Sequence, residues 1–447
     1  MLLNRVSLRR ATAGVGIASC VALVLAGCGG STSTETASKT VTVQFNNGEE
    51  FAIIFQELAK MLEEQNPGVT VKLSPLTVDQ TTGTNLQVLN SSNAPDVALL
   101  PLESPVYATM VKTEQLHDLS DVYADLGLEE ALGEATTAAV NFGNTEAPAY
   151  YAVPYLNNLY AAIWYNKTMF EEFGIPEPAD HRFESLDQLE QTVKALKDEG
   201  KEGLAVGEAD KYQLSWMIDA ILPTAATPSQ FSNYLSSWKP GGEMTVKYTD
   251  DPFVKTLTRM QDMASAGIFT PGYLGMSVAQ ANAQWVAETS GMYFGANGDT
   301  GSFNDLGFEA DWALLPPVDG GTKAQLTSYI GEMVGVPLKA KNADLGKKFI
   351  ALMLSPEGQA VGMKEGILPA IKGVPESAYA ELDPLVQSML ADVDTNGSPS
   401  GWSAVVPAVL GIDGLEAGLQ SMVDGRISPE EIAAKQQETL ESYIADN

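Results

Sequence analysis

Residues 41–73 read VTVQFNNGEEFAIIFQELAKMLEEQNPGVTVKL. VTVQF (41–45) alternates and is rich in β-formers. Phe51, Ile54, Phe55, Leu58, Met61 and Leu62 then recur at the spacing of one helix face. Asn66-Pro67-Gly68 is a stop signal, and VTVKL (69–73) is a second strand. After a polar stretch, Asp96-Val97-Ala98-Leu99-Leu100 is a third. Strand, helix and strand in this rhythm predict a parallel sheet with crossover helices, an α/β fold.

The same alternation continues downstream. Ser185 with Gln188 forms a capping box ahead of Leu186, Leu189, Val193 and Leu196. Ser428-Pro429-Glu430-Glu431 supplies an N-cap, a first-turn proline and the reciprocal glutamate. Asp251-Pro252 opens another helix, with Val254, Leu257 and Met260 on one face and Gly267 as its stop. Upstream of the first strand the chain reads differently. Arg5, Arg9 and Arg10 precede an apolar run from Ala11 to Val24, which is shorter than the roughly 20 residues of a spanning helix. It ends in Leu25-Ala26-Gly27-Cys28, similar to the lipobox at which bacterial lipoproteins are acylated and cleaved. Arg9-Arg10 would suit twin-arginine export, but Ala-Thr-Ala after it does not, and Sec export is preferred. Residues 1–27 are thus expected to be a signal peptide, and 28–40 a lipidated cysteine with a small polar tether.

The chain has 447 residues, enough for two or three domains. Its 26 Lys and Arg against 57 Asp and Glu give a net charge of −31, which disfavours nucleic-acid binding. Cleavage before Cys28 would remove three arginines and no acid, taking this to −34. Such a surface repels anionic headgroups, so the protein should stand off the membrane on its tether. Two histidines and two cysteines leave little material for His-based metal sites or Cys-His and Ser-His nucleophiles. Neither a cofactor nor a metal is expected. Asp392-Val-Asp394-Thr-Asn396-Gly397 copies half of a calcium loop, but Ser403 stands where the bidentate glutamate belongs, so an Asx-rich turn is preferred.

Several passages resemble the extracellular solute-binding proteins of ABC importers, the family that includes the maltose-binding protein. They are EEQNPGVTVKL (63–73), APDVALLP (94–101), YYAVPYLNNLYAAIWYNKTMFEEFGIPEP (150–178), GMYFGANG (291–298), LLPPVDGG (314–321) and the stretch from Tyr329 to Ala370. The resemblance implies a two-lobed periplasmic-binding-protein-like fold of type II, with discontinuous lobes joined by hinge crossings near Pro154–Tyr160, Ala296–Thr300 and Pro337–Lys341. Residues 41–157 and 297–338 would form the N-terminal lobe, and 158–296 with 339–447 the C-terminal lobe.

Ligands of open α/β sheets gather beyond the carboxyl ends of strands. The loop after the first strand brings Asn46, Asn47 and Glu49 there, unless Asn47-Gly48 is a plain turn. Glu103 follows the third strand. Carboxylates accept strong charge-assisted bonds from hydroxyls. Asn157 and Asn158 lie in the first crossing. By the resemblance, Trp216 in YQLSW and Trp402 in SGWSAV occupy places of aromatic residues that stack on sugar, although core packing is the alternative for any tryptophan. Asn297 stands in GANG, where the maltose-binding protein's bulky aromatic is missing. Glu332 follows Gly331 where relatives commonly show two small glycines, and puts an acid near the cleft.

The expected function is therefore capture of a small polar solute, a mono- or oligosaccharide, by a monomeric lipid-anchored receptor outside the cytoplasm, and its delivery to the membrane subunits of an ABC permease. No catalytic residue is assigned. A surface glycoside hydrolase is the rival, since paired carboxylates need neither His nor Cys. Carboxylates with aromatics would also suit a cationic or zwitterionic solute.

Overall fold

The computed structural model describes residues 39–446, except 78–79, 103, 133–136, 138–139, 144–147, 240–241 and 304–305. The signal segment, Cys28 and Glu103 lie outside the described residues. Among the described residues no helix is long and apolar enough to cross a membrane.

The strands are β1 (Lys39–Asn46), β2 (Val69–Leu76), β3 (Ala98–Leu99), β4 (Ala152–Pro154), β5 (Leu156–Asn166), β6 (Glu202–Ala205), β7 (Ser290–Ala296), β8 (Ala310–Leu314), β9 (Thr327–Tyr329), β10 (Met333–Gly335) and β11 (Leu368–Pro369). β1 pairs with β2 in parallel across helix α1 (Glu49–Gln65), as the opening stretch predicts. Lys39 and Thr40 already pair with Val69 and Thr70, so the sheet begins inside the segment expected to be tether. A parallel bridge from Val43 to Val97 brings in the third segment, and β10 lies antiparallel between β3 and β4. Phe45 stacks on Phe55 at 4.8 Å, and Phe55 on Phe349 at 6.1 Å.

The second lobe is built on β5. Its eleven residues, LNNLYAAIWYN, are buried except at Asn157 and Asn158, as a central strand covered on both faces requires. It pairs antiparallel with β7 on one side and with β8, β9 and β11 on the other, and β6 extends the sheet beyond β7. Around it pack α2 (Leu186–Asp198), α3 (Gln213–Ala225), α4 (Pro228–Ser236) and α5 (Asp251–Ser265). The capping box of α2 is shifted by one: Ser185 Oγ accepts from Gln188 N, but the Gln188 side chain accepts from Glu184 N.

The register corrects the expected lobe boundaries. The chain does not leave the second lobe at Ala296–Thr300, because β8 and β9 return to pair with β5. It leaves between β9 and β10, whose partners belong to different sheets, so Ile330–Glu332 is a crossing. Nor do residues from 339 onward all belong to the second lobe. Helices α6 (Ala343–Met353) and α7 (Pro356–Lys364) pack on α1, and α6 also on β1. The chain returns near Ser398–Gly401: Trp402, Val406 and Leu410 join the second core, with α8 (Ile412–Val423) and α9 (Pro429–Asp446). α9 carries the expected box, with Ser428 N donating to Glu431 Oε2 at 2.8 Å and Glu431 N to Ser428 Oγ at 3.2 Å.

The calcium-like segment lies in helix Pro384–Asn396. Asp392 is buried and takes a bidentate pair from Arg182, Nη1 at 2.9 Å and Nη2 at 2.8 Å. That pair ties the 384–396 helix to the segment before α2.

Candidate functional site

Two groups of side chains meet where the crossings pass between the lobes. The first is polar. β1 ends at Asn46, whose Nδ2 donates to Glu332 Oε1 at 3.1 Å, and Tyr155 OH approaches Glu332 Oε2 at 3.4 Å. Strand end and both crossings thus converge on one carboxylate. Burial pushes the Glu332 carboxyl up from its ordinary range, and the bonds from Asn46 and Tyr155 partly oppose this. Asn157, two residues beyond Tyr155 in the chain, is half-buried, and its Oδ1 is buried without a partner.

The second group is aromatic. Tyr329 of β9 lies directly across from Asn158 of β5, and Tyr160 stands two residues on, so the three share one face of the sheet. The Tyr160 ring meets Trp216 edge-on at 4.9 Å and Tyr329 at 6.2 Å, and Tyr212 adds a tilted contact to Trp216 at 4.8 Å. Trp216, Tyr212, Tyr329 and Asn158 are each half-buried and keep part of their surface open. The result is an apolar wall with an amide at its edge.

The wall is held from behind. Tyr160 OH donates to Asp219 Oδ2 at 2.7 Å, and Asp219 also accepts from Ser403 N at 2.7 Å and from Ser403 Oγ. Asp219 is fully buried on α3, and burial raises its carboxyl to about 6 against those three donors. Gly401 is required here, since a Cβ would stand 1.6 Å from the Tyr160 hydroxyl oxygen. Next to Tyr160, β5 has a bulge with Ala161 at φ 61°, a left-handed conformation costing an alanine roughly 1–2 kcal/mol. The first turn of α3 is fixed by buried Gln213, which accepts from Gly207 N and donates to Phe294 O, each at 2.7 Å. Glu208, raised to about 7 by burial, accepts from Leu214 N at 3.0 Å.

Of the residues singled out in the sequence, Asn46, Asn157, Asn158, Trp216 and Glu332 come together here. Asn47 is exposed beside Asn46 and its N–H is used by Leu76 O. Glu49 is the first residue of α1. Two assignments are corrected. Trp402 is fully buried, donates from Nε1 to Tyr248 OH at 3.0 Å and packs edge-on against Tyr248 and Phe253, so its indole is core and not a stacking surface. Asn297 is also fully buried: its Oδ1 accepts from Leu159 N at 2.8 Å and its Nδ2 donates to Gly366 O at 3.3 Å, which spends the amide on bracing β5. Sequence reading missed Tyr155, Tyr160, Tyr212 and Tyr329. Tyr155 and Tyr160 flank the Asn157-Asn158 pair, and Tyr212 precedes Trp216 by one helical turn, a spacing that could have flagged it.

The model of the family described as bacterial extracellular solute-binding protein matches residues 48–360. A multiple sugar-binding protein of Streptococcus mutans is 22% identical over 386 residues, covering 85% of this chain and 86% of that protein. The diacetylchitobiose binding protein of Streptomyces coelicolor is 23% identical over 338 residues, covering 70% and 69%. Among solved structures, a chitin oligosaccharide binding protein superposes with a TM-score of 0.74 at 20% identity, over 91% of this chain and 99% of that one. A raffinose complex of a solute-binding protein gives 0.64 at 18% identity, over 91% and 99%. These superpositions show the type II two-lobed fold.

Proposed function

Because the chain belongs to the bacterial extracellular solute-binding proteins, we propose that it captures a neutral mono- or oligosaccharide between its lobes and delivers it to the membrane subunits of an ABC importer. The observation that carries this reading is the half-buried Tyr212–Trp216–Tyr329 wall beside Asn158, joined through the chain crossings to the Asn46–Glu332–Tyr155 group. A sugar ring shows C–H groups on its faces and hydroxyls around its edge, and therefore needs flat aromatic surface together with in-plane acceptors and amides. The sugar-binding relatives support the same ligand class. Capture needs no covalent step, so glycans recovered after incubation should be unchanged, whereas turnover would favour the hydrolase. A thermal-shift screen of neutral sugars against betaine and polyamines separates the remaining alternatives, since a ligand of the folded state raises the melting temperature. A shift with the cationic solutes alone would overturn the sugar reading.

The same proposal places the protein outside the cytoplasm as a monomer tethered through lipid on Cys28. One acyl chain binds membranes reversibly, so stable attachment implies a multiply acylated cysteine. Cys28→Ser should release the protein from membranes, and full retention would refute the anchor.

A further inference from the structure

The Glu332 carboxylate stands on a fixed piece of backbone. Leu102 N donates to Gly331 O at 2.9 Å, Tyr155 N to Glu332 O at 3.3 Å and Leu100 N to Met333 O at 2.9 Å, so the crossing is clamped on both sides of the residue. Its two partners are fixed as well. Asn46 closes β1, and Asn47 N next to it donates to Leu76 O at 3.0 Å. The Tyr155 ring meets Phe55 edge-on at 5.6 Å, and Gln359 Nε2 donates to Tyr155 O at 3.0 Å. Each Glu332 oxygen then has one donor, Oε1 the Asn46 amide at 3.1 Å and Oε2 the Tyr155 hydroxyl at 3.4 Å.

We infer that Glu332 is a positioning residue: it grips the Asn46 amide by its NH2 group and so leaves the Asn46 carbonyl as the acceptor for a ligand hydroxyl. This rests on the sugar-capture reading and names the atom that meets the sugar. An amide has one donor end and one acceptor end, whereas an ionised carboxylate only accepts. The end facing Glu332 is therefore the NH2, and Oδ1 is turned the other way. Asn46 is half-buried, and among the described residues no donor reaches its Oδ1. Donation to a carboxylate also polarises the amide and strengthens that oxygen as an acceptor. Without the carboxylate the amide could present either end. Glu332 thus acts on the ligand through Asn46.

The test reverses the bond. Asn46→Asp puts a second carboxylate where the NH2 was, 3.1 Å from Glu332 Oε1, and two ionised carboxylates that close repel. This variant should melt below the parent at pH 8 and bind sugar about tenfold more weakly, the worth of a charged hydrogen bond. Adding Glu332→Gln should rescue both properties. The new amide then donates to the new carboxylate, whose other oxygen still serves the ligand as an acceptor, while Tyr155 OH donates to the remaining Oε1. Melting is read without ligand, and affinity by calorimetry with glucose, maltose and maltotriose as neutral probes. If Asn46→Asp does not fold, the double variant must still fold. Parent-like melting of Asn46→Asp, or a double variant as unstable as Asn46→Asp, would show that the carboxylate does not hold the NH2 and would overturn the inference. A double variant that regains its melting but not its affinity would overturn it as well, because Glu332 would then touch the ligand itself. If the parent binds none of the three probes, that result counts against sugar capture, and the melting of the two variants decides the inference by itself.

Discussion

Two tryptophans singled out together in the sequence are placed differently in the structure: Trp216 is half-buried and Trp402 fully buried. YQLSW and SGWSAV each offer an indole beside a serine, and Tyr212 one turn before Trp216 is the main local difference. What separates them is the Tyr248 hydroxyl that receives the Trp402 N–H and the Phe253 ring beside it, both from segments about 150 residues away in the chain. Truncating a core tryptophan typically costs about 3–5 kcal/mol. Trp402→Ala should therefore melt far below the parent, and a fully folded variant with weakened ligand affinity would contradict its assignment to the core. Asn297 gives the same lesson: its amide is consumed by Leu159 N and Gly366 O. Asn46 and Glu332 were legible because strand ends and a departure from small glycines are local signals. Tyr160 was not, because its role depends on Asp219 and Gly401 reaching it from elsewhere.

Hydrophobic period decides what each element is, whereas partner choice decides where it belongs. β1, α1 and β2 follow directly from Val41 to Leu73, since one alternating run, one amphipathic run and a stop cannot be arranged otherwise at this spacing. β8 and β9 could not be placed in this way: ADWAL and TSY are short buried strands that would fit either sheet. Their pairing with β5 moves the second crossing to Ile330–Glu332 and so puts Glu332 on the cleft floor. Helix 384–396 is likewise fixed by a contact that no local pattern reveals, the buried Arg182–Asp392 pair. Removing one partner of such a pair leaves an uncompensated buried charge, commonly about 3–5 kcal/mol. Asp392→Ala should lower the denaturation midpoint by a correspondingly large amount, and added calcium should not change the melting of the parent. An Asp392→Ala midpoint equal to the parent's would show that the pair does not anchor the helix.

Across the whole molecule, acid chemistry is the dominant electrostatic feature. Burial raises Asp219 and Asp299 to about 6 and Glu208 to about 7. Unfolded, these groups release their protons near pH 4. Between about pH 4 and pH 7 the folded chain therefore holds more protons than the unfolded one, so these groups favour folding increasingly as pH falls through that window. Relief of self-repulsion in a chain of net charge −31 acts in the same direction. The melting temperature should be higher at pH 5.5 than at pH 8, and a melting temperature lower at pH 5.5 than at pH 8 would contradict the burial of these carboxyls. The central claim is that the two lobes enclose a neutral sugar against Trp216. Its most direct measurement is calorimetric titration of the native chain and of Trp216→Ala with the sugar that gives the largest thermal shift. Loss of an aromatic anchor typically costs about 2 kcal/mol or more, roughly thirtyfold in affinity. The expected result is one site per native chain, with binding at least thirtyfold weaker in a Trp216→Ala variant that still melts close to the parent. Equal affinity in the two proteins would place the ligand elsewhere and contradict the account.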